Sequence, residues 1–164
     1  YLNAQRVKKY IIELKWAIIF MISALLWMIF EKFMGWHDLL IDKHMTYTNF
    51  FAIIAVSVYV FALIDKRKNF YQGKITWKQA FISGVIVTLF IIPLNPIAQY
   101  LTYYFITPEY FTNIISHSVK TGKMTLIEAE NYFNLQNYML QGLIGGTLMG
   151  FATSAVVSFF IKKQ

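Results

Sequence analysis

The chain has 164 residues, of which 57% are hydrophobic, and its mean hydropathy is +0.49. This length fits one domain, and this hydropathy lies outside the range of soluble globular proteins, so the composition predicts a membrane protein. Cysteine is absent, which excludes disulfides, thiolate metal sites and a cysteine nucleophile. The net charge of +7 is spread along the chain without a compact basic patch of stacking aromatics, so we expect no nucleic-acid partner.

Four apolar stretches each have about the 20 residues that a bilayer core of roughly 30 Å requires: residues 14–34, 45–64, 79–98 and 142–161. Of the 15 Lys and Arg residues, 11 flank one side of these stretches and four flank the other. An excess of cations marks the cytoplasmic side. The sequence therefore predicts an all-α polytopic membrane protein with four transmembrane helices and both termini in the cytoplasm. We treat residues 1–164 as one domain in which residues 1–7 form a tail.

The first span ends at two charged residues, Glu31 and Lys32, which we expect to reach the headgroups by extending along the helix. A short outer loop follows. It carries two histidines and two aspartates, a set that has the donor atoms for a metal: His37, Asp38, Asp42 and His44. A solvated loop has the same composition, and we favour that interpretation, so we expect no metal ligand and no cofactor.

The third span contains Pro93, Asn95, Pro96 and Gln99 in its outer third. Each proline removes a backbone donor and clashes with the preceding turn, which predicts a kink. Asn95 and Gln99 are one turn apart and form the most polar surface within the apolar runs. Two interpretations stay open. The amides bond across to a neighbouring helix, or they line a cavity or hinge.

Residues 107–136 predict a short helical cap on the outer face. The motif Thr107-Pro108-Glu109 is typical of a helix start, with Thr107 as the N-cap. Further along, Thr125 and Glu128 match a capping box. We expect the helix that begins there to continue without a break from Leu126 to Ile161, a length of about 54 Å.

That final helix carries small residues at every fourth position, which form one ridge: Gly142, Gly146, Gly150, Ser154 and Ser158. Glycine weakens a helix interior by about 1 kcal/mol relative to alanine, so a row of glycines needs an offsetting gain from close helix packing. The ridge packs against a neighbouring helix of the same chain, or it packs against a partner subunit. The sequence leaves both open.

Several stretches together resemble a known family: KYIIELKW (9–16), IDKHMTYTNF (41–50), DKRKNFYQGK (65–74), GKMT (122–125) and EAENYFN (128–134). They are similar to a Bacteroidota family of small four-span membrane proteins, the domain of unknown function numbered forty-one ninety-nine (DUF4199). The resemblance implies a location in the bacterial inner membrane, no assigned activity and no site residues to carry over. It also implies a partner, because members are encoded near a membrane glycosyltransferase that uses lipid-linked sugars.

Enzyme signatures are missing from the sequence, which has no HExxH, GxSxG, Walker A or GxGxxG motif. We therefore expect no catalytic residues. The span interiors carry no charged residue, which argues against a proton-coupled pump. The sequence favours a non-catalytic accessory or scaffold subunit that packs against a membrane-protein partner in the lipid bilayer. The alternative is a small transporter or flippase for a lipid-linked substrate, which with four spans predicts a homo-oligomer.

Overall fold

A computed structural model describes residues 2–163, with side chains described from Lys9 to Lys163. Tyr1, the first residue of the predicted tail, lies outside the described residues. Within the described part the chain forms helices α1 Leu2–Phe33, α2 Ile41–Tyr47, α3 Phe51–Asn69, α4 Trp77–Leu101, α5 Tyr110–Lys120, α6 Leu126–Tyr132 and α7 Leu135–Ile161. A 3₁₀ turn, Thr48–Phe50, joins α2 to α3, and a π-helical turn, Thr102–Ile106, follows α4.

Four helical segments are long and apolar enough to cross a membrane: Lys9–Phe33, Ile41–Asn69, Trp77–Ile106 and Leu135–Ile161. The all-α class and the four predicted spans are confirmed, and they make the chain a multi-pass membrane protein. Lys66 donates to the backbone oxygen of Lys9, and Arg67 donates to that of Ile161 (2.9 Å). The first turns of the first span and the last turn of the fourth therefore share one end of the bundle, which we call the Lys66 end. The opposite end, which carries α5 and α6, is the α5–α6 end.

The helices pack most tightly near the Lys66 end. Helix α4 has its largest interface with α7 and its second largest with α1. The apolar core there is formed by buried residues of α3, α4, α7 and the α3–α4 loop: Tyr59, Ala62, Leu63, Ile75, Ala80, Val87, Val157 and Ile161. Ile75 also pairs with Lys163 through two backbone hydrogen bonds, of 2.8 and 2.9 Å. This end of the bundle is therefore closed.

Most of the small-residue ridge on α7 packs against α4. A Cβ added at Gly150 would lie 2.5 Å from Thr88 Cγ2, and a Cβ added at Gly84 would lie 2.7 Å from Ser154 Cβ. Ser154 and Ser158 are fully buried. Of the two interpretations of the ridge, packing within the chain accounts for these contacts. Small residues are needed here because the two backbones approach closely.

Two predicted helix boundaries are wrong. The final helix is broken, because Phe133 is not helical and Asn134 begins a new helix by accepting a hydrogen bond from Asn137 N (2.9 Å). A cap of this kind satisfies a free backbone donor and restarts α7 in a new direction. Helix α5 begins at Tyr110 with Glu109 as its N-cap, so Thr107 does not cap it. The capping box of Thr125 and Glu128 is confirmed.

Candidate functional site

A large cavity lies between the helices at the α5–α6 end. Its volume is about 990 Å³, and we call it the central cavity. Walls come from α1, α2, α4, α5 and α7, with α6 and the α5–α6 loop at the rim. Gly145 and Gly146 of α7 border the cavity: a Cβ at either would meet nothing within 4 Å, whereas a Cβ at Gly150 would touch Thr88.

One wall of the central cavity is polar. Asn95 and Gln99 line it from α4, and both side chains lie against Gly142, where a Cβ would come within 2.7 Å of Asn95 Oδ1 and 3.0 Å of Gln99 Nε2. Among the described residues, the buried Asn95 Oδ1 has no hydrogen-bond partner. Of the two interpretations of these amides, lining a cavity matches their position. The helix continues through Pro93 and Pro96, so the prolines lie within α4 beside the amides.

The rim of the cavity carries ionisable groups from several elements. His117 on α5 and Lys123 in the following loop line it, and Asp42 and His44 line it from α2. Apolar side chains also line the cavity, among them Leu25 and Met28 of α1. The cavity therefore combines a hydrogen-bonding side with a hydrocarbon side.

Beside the cavity, three residues form a buried polar cluster: Glu31, His37 and His44. Glu31 Oε2 lies 3.0 Å from His37 Nε2 and 3.5 Å from His44 Nδ1, and one donor atom of each residue lies within 4.8 Å of the others. The exposed fractions are 0%, 1% and 8%. The predictions that Glu31 reaches the headgroups and that both histidines are solvated are therefore wrong. Asp38 and Asp42 are exposed, as predicted for a loop.

The sequence after α1 positions this cluster. Gly35 has a φ of +75°, which glycine adopts without strain, and the turn brings Trp36 N to Glu31 O (3.0 Å). Tyr110 of α5 packs its ring edge-on against the His37 and His44 rings, at centroid distances of 5.3 and 5.1 Å. Burial raises the pKa of Tyr110, so its hydroxyl stays neutral at physiological pH.

A second buried charged cluster lies at the Lys66 end. Lys66 Nζ is 2.9 Å from Glu13 Oε1, and Ser83 donates to the same oxygen (2.7 Å). These three side chains are at most 3% exposed and join α3, α1 and α4. Because the lysine and the hydroxyl satisfy the carboxylate, this cluster is a completed ion pair with a structural role.

A family model described as a protein of unknown function, DUF4199, matches residues 15–163. The chain belongs to the DUF4199 family. The resemblance predicted from the sequence is thus confirmed over nearly all of the helical bundle. No curated protein and no solved structure matches this DUF4199 chain. Its function has to be argued from its own geometry.

Sequence reasoning found the amides of this DUF4199 chain but not the Glu31 cluster. The signal was Trp27 followed four residues later by Glu31, because such a pair shares one helix face and the indole donates to the carboxylate (2.6 Å). A carboxylate held by an indole is not free to extend to the headgroups. Tyr110 carried no such signal, since only the fold brings α5 onto the loop after α1.

Proposed function

We propose that this protein binds an amphiphilic lipid in the central cavity and acts as a small transporter or flippase for a lipid-linked substrate. The observation that supports this most is the cavity itself, about 990 Å³ in a membrane bundle. Small-molecule sites typically measure roughly 300–1,000 Å³ and combine an apolar lining with a few polar groups. The central cavity is at the upper end of that range.

The wall composition favours an amphiphile over a purely polar or purely apolar ligand. Asn95 and Gln99 offer hydrogen-bond donors and acceptors to a head group, whereas Leu25 and Met28 contact hydrocarbon. An unpaired buried acceptor such as Asn95 Oδ1 costs about 1–3 kcal/mol. A head group with hydroxyl donors, as in a lipid-linked sugar, would remove that cost.

We place the protein in the bacterial inner membrane with the Lys66 end in the cytoplasm. The support is the charge distribution, with 11 of 15 cations on that side, together with the rule that cytoplasmic flanks carry the excess of Lys and Arg. The central cavity then lies in the outer half of the bilayer. In this arrangement the ligand enters from the outer leaflet.

A second candidate function is an accessory or scaffold subunit, with no catalytic activity of its own. Gly145 and Gly146 support it, because both are exposed and no side chain of the described residues lies within 4 Å of where their Cβ would be. Small residues in this position allow a second helix to approach closely. The partner would be another membrane protein, such as a glycosyltransferase acting on a lipid-linked sugar, or a second copy of the chain.

Retained lipid distinguishes the two functions. Wild type, Gly146→Leu and Asn95→Leu are purified in a mild detergent, and the fraction of each protein that retains lipid is measured by native mass spectrometry. Gly146→Leu fills the cavity, and Asn95→Leu removes the amide at similar volume, so we expect both to reduce the lipid-bound fraction. Ala152→Leu is the matched control, since Ala152 is exposed on the same helix and lies outside the cavity lining.

Equal lipid retention in all four proteins would refute the cavity as the binding site. A protein partner at fixed stoichiometry that is lost on Gly146→Leu, with no bound lipid in the wild type, would support the accessory subunit instead.

A further inference from the structure

We propose that Glu31, His37 and His44 bind one divalent transition-metal ion of the zinc type. The three side chains come from the end of α1, the following loop and α2, and they converge from three directions on one buried point. This replaces the expectation of no metal, and it uses a different ligand set from the four loop residues considered from the sequence. The proposal does not depend on what the central cavity binds.

The distances fit such a site. In tetrahedral coordination with bonds of about 2.1 Å, two ligand atoms are roughly 3.4 Å apart. The histidine nitrogens lie 3.0 and 3.5 Å from Glu31 Oε2, close to that edge length. Two imidazoles and one carboxylate are a donor set that suits zinc and its neighbours, and three protein ligands leave a fourth position. His44 also lines the central cavity, so the proposed site adjoins it.

A simple ion pair explains the cluster less well. No lysine or arginine of the described residues bonds to Glu31, because its neighbour Lys32 donates to Ile106 O instead. A proton on His37 would compensate the carboxylate through the 3.0 Å contact. His44 Nδ1 lies 3.5 Å from the same oxygen and has no hydrogen-bond partner among the described residues, and a proton on His37 would not give it one. A metal ion would bind the carboxylate, His37 Nε2 and His44 Nδ1 together, and of the two unpaired imidazole nitrogens it would leave only His37 Nδ1.

The surroundings hold the ligands in place. Trp27 Nε1 donates to Glu31 Oε1 (2.6 Å), which leaves Oε2 facing the histidines. Asn113 Nδ2 donates to the backbone oxygen of His37 (3.0 Å), which fixes the loop to α5. Tyr110, itself only 1% exposed, packs against both rings. Contacts of this kind, which orient a carboxylate and restrict ligand rotamers, are typical around metal sites.

The test uses detergent-purified protein carrying a tag without histidine, stripped with a chelator and titrated with Zn²⁺ or Co²⁺ alone. We expect one equivalent of metal to bind, with a visible absorption band and a partial quenching of tryptophan fluorescence for Co²⁺, because Trp27 donates to Glu31. His44→Gln should weaken binding at least about tenfold. His117→Gln is the matched control, because His117 lines the same cavity but lies outside the cluster.

His44→Cys serves as a rescue variant, since it restores a metal ligand that His44→Gln removes. Binding that is lost in His44→Gln, kept in His117→Gln and regained in His44→Cys supports the site, whatever the stability of the metal-free variants. A wild type that binds no metal, or binding that His44→Gln and His117→Gln reduce equally, would overturn it.

Discussion

Substitution by alanine should change the free energy of unfolding differently at two glycines of the α7 ridge, Gly146 and Gly150. A Cβ at Gly150 would lie 2.5 Å from Thr88 Cγ2 and 2.9 Å from Tyr59 Oη, whereas a Cβ at Gly146 would meet nothing within 4 Å. Favourable carbon contacts lie at about 3.5–4.0 Å, so Gly150→Ala must move α4 or α7 by about 1 Å. Thr88 is buried and bonded to Tyr59 (2.8 Å), so it has no free space to move into.

The magnitude follows from three contributions. Overpacking costs about 1–3 kcal/mol, and a weakened Tyr59–Thr88 hydrogen bond costs about 1 kcal/mol. Alanine regains about 1 kcal/mol over glycine inside a helix. We therefore expect Gly150→Ala to lower the free energy of unfolding by about 1–3 kcal/mol, and Gly146→Ala to leave it unchanged or raise it by up to about 1 kcal/mol.

Wild type, Gly146→Ala and Gly150→Ala are unfolded reversibly in mixed micelles by increasing SDS. The loss of helix is monitored by circular dichroism, which gives the free energy of unfolding of each protein. The reasoning is refuted if the two variants are equally stable. A larger loss for Gly146→Ala would refute it too, and it would indicate that another chain covers Gly146.

Two further predictions use the same unfolding assay. Lys66→Met should destabilise the protein by about 3–5 kcal/mol because it leaves Glu13 buried without a counter-charge. The double variant Glu13→Leu/Lys66→Met should be less destabilised, because it removes both charges. A double variant that is less stable than Lys66→Met would contradict the ion-pair assignment. Asn134→Ala should cost at least about 1 kcal/mol because it removes the N-cap of α7 and the bonds that Asn134 Nδ2 donates to two backbone oxygens, whereas Asn134→Asp keeps the accepting oxygen and should cost less. Equal losses in both variants would show that the cap bond is not what starts this helix.

The parts of the fold that depend on local sequence could be predicted. Bilayer length and hydropathy determine the four spans, and the capping box at Thr125 depends on a residue only three positions away, Glu128. The break before α7 was also local, because Asn134 is a good N-cap residue. It was missed because an uninterrupted run of helix-compatible residues on both sides of residue 134 favoured one long helix.

Much of the candidate site depends on contacts between segments that are far apart in the sequence. A four-residue repeat gives Gly146 and Gly150 the same expected environment, yet one faces the central cavity and the other faces Thr88. The repeat specifies where a helix can approach, and the arrangement of the neighbouring helices decides where one does. Likewise, the burial of Glu31 follows from α5 folding back over the loop after α1, which places Tyr110 against His37 and His44.

The two buried carboxylates of α1 distinguish the two ends of the bundle. Glu13 and Glu31 are separated by 18 positions of one helix, which is about 27 Å and close to the roughly 30 Å of a bilayer core. At the Lys66 end, Lys66 completes the pair beside the buried apolar core of α3, α4 and α7. At the other end, the carboxylate faces two imidazoles, His37 and His44, and no lysine or arginine of the described residues bonds to it. The same helix therefore carries a completed ion pair at one end and, next to the central cavity at the other, the cluster for which we propose a metal ion.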